Sequence, residues 1–260
     1  MAPESAQSPR APALAVPRRR VTPGDVGRLA VRRVRSAPGT HIWLAILAVT
    51  SLIGAELPAR LRSPLLHGVS TNLVELTEHP IRVLVASALW LDSPADLVFY
   101  AVVFDLVHAT AERWLGTLRW LLVVAAAHIG ATLVSQTAVF VDIRDARLPG
   151  SLAYTVDIGV SYGIAGVVGI LAYRVPWPWR CGYLAGALAY FGYPVLDNGG
   201  FTDLGHLSAL LIGLCGYVLT GAVTYAGTCT ATRTATWTVT PPRRAAGAAP
   251  PRSRPRRWTP

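Results

Sequence analysis

A chain of 260 residues that is 52% hydrophobic and only 15% charged, with a mean hydropathy of +0.40, lacks the charge that a soluble domain of this size needs to cover its surface. Its apolar residues fall in runs of roughly 15–24, about the length that crosses a ~30 Å hydrocarbon core, so composition points to an all-α protein with several membrane spans. The formal net charge of +10 comes from 24 basic residues, all Arg, which cluster in the tails and at run ends as in a membrane protein, not as in a nucleic-acid binder.

In chain order, residues 1–40 are rich in Ala, Pro and Arg and read as a disordered basic tail. No removable signal peptide is apparent, because the first apolar run begins only near His41. Six candidate spans follow within a membrane domain at 41–227, at about 42–57, 95–112, 118–141, 153–175, 181–196 and 204–226. Residues 58–94 form a long first loop, and its apolar stretch 81–91 is too short to cross comfortably. Pro176 to Arg180 separates spans four and five, with Trp177 and Trp179 suited to the interface. Residues 228–260, rich in Thr, Pro and Arg, read as a second disordered basic tail. Cys181, Cys215 and Cys229 form no CxxC pair.

Arg placement sets the expected orientation. The first tail carries Arg18, Arg19, Arg20, Arg28, Arg32, Arg33 and Arg35, and the last carries Arg243, Arg244, Arg256 and Arg257. With six spans, both tails and the loops near Arg113, Arg119, Arg174 and Arg180 share the cytoplasmic side. The loop 142–151 and the long loop 58–94 then lie outside. All-Arg usage fits a GC-rich bacterial genome, so the expected location is the plasma membrane, in contact with the lipid bilayer.

Polar residues within spans are costly and therefore informative. Span four holds Gly159, Ser161, Tyr162 and Gly163, and span six holds Gly205, His206, Ala209 and Gly213. Both spans run from outside to inside, so Ser161 and His206 each lie on the order of 5–12 Å below the outer surface at 1.5 Å per residue. Small residues one turn apart let the two helices approach, and a Ser with a His in reach can act as a nucleophile with its base. The bland alternative is helix packing, with the serine bonded to its own backbone.

Glu112-Arg113-Trp114-Leu115-Gly116 follows span two, His79-Pro80-Ile81-Arg82 precedes it, and Gly205-His206 opens the small-residue face of span six. With the GxS of span four, these segments over about 42–226 resemble the rhomboid family of intramembrane serine proteases. The resemblance implies a six-helix bundle with a semi-embedded outer loop and no cofactor. It also implies Ser161 as nucleophile, His206 as general base, and Glu112, Gly116, Arg82, Gly163, Ala209 and Gly213 as structural positions. The substrate would be a transmembrane protein cleaved near the outer face.

The departures are specific. The family has Gly after its serine, where this chain has Tyr162, a ring that could fill the substrate cavity. The family's His and Asn oxyanion donors map onto Asp96 and Tyr100; an ionised Asp repels a developing oxyanion, whereas a Tyr hydroxyl or the Ser161 amide could donate. A catalytically silent rhomboid-like protein that binds transmembrane clients is therefore the second reading. A small-solute carrier is the third, without the inverted repeat it would need. Asp105, His108 and Glu112 share a face of span two and His128 lies in span three, but without a repeated ligand pair they read as interhelical hydrogen bonding, not as a metal site. Asp157, one turn before Ser161, could orient a loop or cap span four, and capping is the favoured role.

Overall fold

The computed structural model describes residues 22–197 and 199–221, and every regular element among them is helical. Among the described residues, ten helices of six or more residues follow one another. The first is α1, Pro23–Ser36, and α2 spans Pro38–Glu56. The short α3 (Ala59–Val69), α4 (Leu73–Glu78) and α5 (Pro80–Ser87) make up the long first loop. Next come α6, Pro94–Leu115, and α7, Thr117–Arg144. Then follow α8 (Val160–Leu171), α9 (Trp179–Leu196) and α10 (Phe201–Cys215).

The six longer hydrophobic helices α2, α6, α7, α8, α9 and α10 fall on the six predicted apolar runs. Four helical segments, Pro38–Glu56, Pro94–Leu115, Thr117–Arg144 and Phe201–Leu219, are long and apolar enough to cross a membrane. Val160–Arg174 is apolar but shorter, and α9 carries an internal Pro194; six spans are compatible with this set. Large apolar side chains such as Val98, Val102 and Leu106 stand on the bundle exterior, as on a surface that meets lipid instead of water. The stretch 81–91 does not cross: α5 is eight residues long, with Val83 fully buried.

One expectation needs correction. Pro23–Ser36, assigned to the disordered tail, is an α-helix. Its start is a capping box: the Thr22 hydroxyl accepts from the Asp25 N–H, and the Asp25 carboxylate accepts from the Thr22 N–H. The remaining residues of the two predicted tails, 1–21 and 228–260, lie outside the described residues, as does Cys229.

At the centre α7, α8 and α10 pack against one another. The approach is close because it is made of small residues: a Cβ on Gly213 would stand 1.9 Å from the Gly166 carbonyl oxygen, and one on Gly169 2.3 Å from the Leu210 oxygen. Glu112 at the end of α6 fixes the entry of α2. Its carboxylate accepts from the Gly39 N–H at 2.8 Å, the Thr40 N–H at 2.7 Å and the Thr117 hydroxyl at 2.7 Å, satisfying amides that a helix start leaves unpaired. Gly116 then turns the chain into α7 with φ 84°, a left-handed conformation that disfavours any side chain. Arg82 pairs with Glu75 inside the first loop.

Candidate active site

Ser161 and His206 come together. The Ser161 hydroxyl lies 2.8 Å from His206 Nε2 and can donate to it, which requires the ring proton on Nδ1. Each residue reaches this point from its own helix start: Ser161 is the second residue of α8, and His206 lies in the second turn of α10. The glycine contacts two turns further along hold the helices at this spacing. Because Ser161 is the second helical residue, its N–H has no carbonyl to accept it within the helix. Gly159 at the cap supplies no side-chain bond, so the positive end of α8 points at the serine.

Both side chains line a cavity of about 880 Å³. One wall is α6, through Phe99, Tyr100, Val103 and Val107; the other is α9, through Tyr183, Gly186, Tyr190 and Phe191. Tyr100 therefore reaches the cavity, whereas Asp96 is exposed and is not among its lining. Asp203, one turn before His206, also borders it, while its carboxylate accepts the Gly200 N–H.

Tyr162 does not fill the cavity. Its neighbour Ser161 faces the opening, and a turn of about 100° per residue sends Tyr162 to another side of the helix. There it is fully buried, edge-on to the His206 ring with 5.1 Å between centroids. Its hydroxyl donates to the Asp157 carboxylate at 3.0 and 3.2 Å. Gly205 makes room for the ring, since a Cβ there would stand 2.6 Å from it. Asp157 is not a helix cap: besides Tyr162 it receives Gln136 Nε2 at 3.4 Å, and its backbone is stitched to Ser70 and Thr71 of the first loop. Tyr162 as a support beneath the histidine is not legible in the sequence, although the position after Ser161 already excludes a shared direction; the tie of Asp157 to the first loop matches the loop-orienting alternative to capping.

Gly159 also sits behind the cavity, where a Cβ would stand 2.0 Å from the His128 ring. His128 Nε2 donates to the Leu84 carbonyl at 2.8 Å, tying α7 to the first loop. The polar residues weighed as metal ligands go separate ways. Asp105 pairs with Arg33, His108 accepts from Trp120 Nε1 at 3.1 Å, and Glu112 holds the start of α2. A π-helical turn at Phe104–His108 breaks the helical phase that the face of Asp105, His108 and Glu112 assumed. Among the aligned small residues, Gly163 abuts Trp43 and Val124, and Ala209 is fully buried beside Tyr162 and Ala165.

No curated protein and no solved structure matches this sequence. Residues 32–226 match the family model described as rhomboid-like protein. That match takes in the whole bundle from the end of α1 onward, and with it the chain is a member of the rhomboid-like family of membrane proteins.

Proposed function

We propose that this protein is an intramembrane serine endopeptidase that cleaves a transmembrane substrate near the outer face of a bacterial plasma membrane, with both termini cytoplasmic. The observation that carries this reading is the 2.8 Å contact between the Ser161 hydroxyl and His206 Nε2 at the wall of an open cavity. In the reaction, Ser161 Oγ attacks the scissile carbonyl as its proton passes to His206 Nε2. His206 returns that proton to the leaving amine as the peptide bond breaks. Water, deprotonated by His206, then releases the acyl group and restores the serine. The Ser161 amide and the hydroxyl of Tyr100, which lines the same cavity, would serve as oxyanion donors in place of a His and Asn pair.

That weak oxyanion provision supports a second reading, a catalytically silent member that binds transmembrane clients. An exposed Asp96 offers no donor, and one missing donor typically costs ~3 kcal/mol of transition-state stabilisation, about a hundredfold in rate. Cleavage of a helix-destabilised transmembrane reporter separates the two. The peptidase reading expects turnover that Ser161→Ala abolishes and that Asp96→His with Tyr100→Asn raises. Zero turnover in the wild type and in the doubly substituted protein, with client binding retained in Ser161→Ala, selects the binder.

A further inference from the structure

The amphipathic helix α1 has no place in the peptidase chemistry. From Gly27 to Ser36 every residue of it is exposed, including Leu29, Val31 and Val34 at 64%, 52% and 47%. At about 100° per residue, Ala30, Val31 and Val34 form one face and Arg28, Arg32 and Arg35 another. The bundle covers neither. Arg33 lies on the seam between them and is the residue that docks: its guanidinium grips Asp105 of α6 with two prongs, Nε to Oδ1 at 3.0 Å and Nη2 to Oδ2 at 2.6 Å.

Covalent geometry says what covers the open faces. α1 ends at Ser36 and α2, a membrane-spanning helix, begins at Pro38. Only the buried Ala37 separates them, so the end of α1 cannot leave the surface where α2 enters the bilayer. An exposed helix with an apolar face and a separate Arg face, pinned at that level, fits a membrane interface, with apolar side chains at the acyl boundary and guanidinium groups among headgroups. Arg32 and Arg35 carry no ion pair among the described residues, and Arg28 has only an exposed pair with Asp25, which competes weakly with lipid phosphate.

We propose that α1 is an interfacial helix that binds anionic phospholipid headgroups through Arg28, Arg32 and Arg35, while Arg33 is withheld from lipid by Asp105 and fastens the helix to the bundle. Three arginines near an anionic surface, at roughly fivefold each, give a preference on the order of a hundredfold. The assignment is independent of whether Ser161 is catalytic.

Amide hydrogen exchange of the full chain tests it in two sets of nanodiscs, one of phosphatidylcholine alone and one of equal parts phosphatidylcholine and phosphatidylglycerol. The expected result is slower exchange across α1 in the anionic discs, reduced by added salt. Arg28→Gln with Arg32→Gln and Arg35→Gln should remove that difference and leave exchange in α7 and α8 unchanged. Arg33→Gln should speed α1 exchange in both disc types and keep the difference between them. Equal α1 exchange in the two lipids, or a lipid difference that survives the triple substitution, would overturn the proposal. So would protection in phosphatidylcholine that grows with the number of chains per disc, which would give the exposed faces to a second copy.

Discussion

Placing one methyl group between α8 and α10 tests how the site is held. A Cβ on Gly213 would stand 1.9 Å from the Gly166 carbonyl oxygen and 2.7 Å from its carbon. Both neighbours are backbone, so no side chain can swing aside, and the helices must separate by about 1.5 Å to restore van der Waals contact. Overpacking of this kind costs about 1–3 kcal/mol. Ala gains roughly 0.5–1 kcal/mol over Gly in a helix, and loss of an interhelical hydrogen bond takes back about as much. Gly213→Ala is therefore expected to destabilise by about 1–3 kcal/mol. Because His206 lies two turns along α10, the same displacement should open the 2.8 Å contact with Ser161 beyond hydrogen-bonding range. The control is Gly192→Ala in α9, where nothing lies within 4 Å of the added Cβ and stability should hold or rise. The assay is reversible unfolding of both variants in mixed micelles. Gly213→Ala no less stable than Gly192→Ala would refute the close-approach account.

Three further outcomes are expected. Glu112→Ala strands the Gly39 and Thr40 amides at the start of α2 and should cost about 3 kcal/mol or more in the same unfolding assay, since hydrogen bonds to a charged group are worth ~1.5–3 kcal/mol each. Tyr162→Phe keeps the ring edge against His206 but leaves the buried Asp157 carboxylate short of a donor; a loss of ~1–3 kcal/mol in stability should come with little change in Ser161 reactivity, whereas Tyr162→Ala should lower both. Single cysteines at Leu65 and Asp145 should react with an impermeant reagent from outside the cell, and one at Arg119 should not; labelling of Arg119→Cys from outside would reverse the orientation.

The spans were legible because a ~30 Å apolar slab demands long apolar runs and leaves little else to read. Ser161 and His206 were legible because a polar group inside such a run stands out, and because the run boundaries placed both at one depth. The turn at Glu112 to Gly116 was legible as a resemblance, and the bonds to Gly39 and Thr40 give its physical reason. Less visible was anything set by contacts between distant segments. Asp157 looked like a helix cap by position, yet its partners are Gln136, Tyr162 and the loop residues Ser70 and Thr71. The polar stripe of span two looked continuous, but a π-turn changes its phase after Phe104. For α1 the signal was present in Thr22, Asp25 and the spacing of Ala30, Val31 and Val34; the high Arg and Pro content around it masked a short helix whose apolar face is exposed.

Labelling by a fluorophosphonate probe tests most directly whether His206 activates Ser161 at the open cavity. Such a probe forms a covalent bond only with a hydroxyl whose proton a base removes. The expected result is a single labelled peptide containing Ser161 in the membrane-reconstituted wild type, none in Ser161→Ala, and a strong loss in His206→Ala with the fold intact. Labelling of Ser161 that is unchanged in His206→Ala, or a folded wild type that takes no label at all, would contradict it.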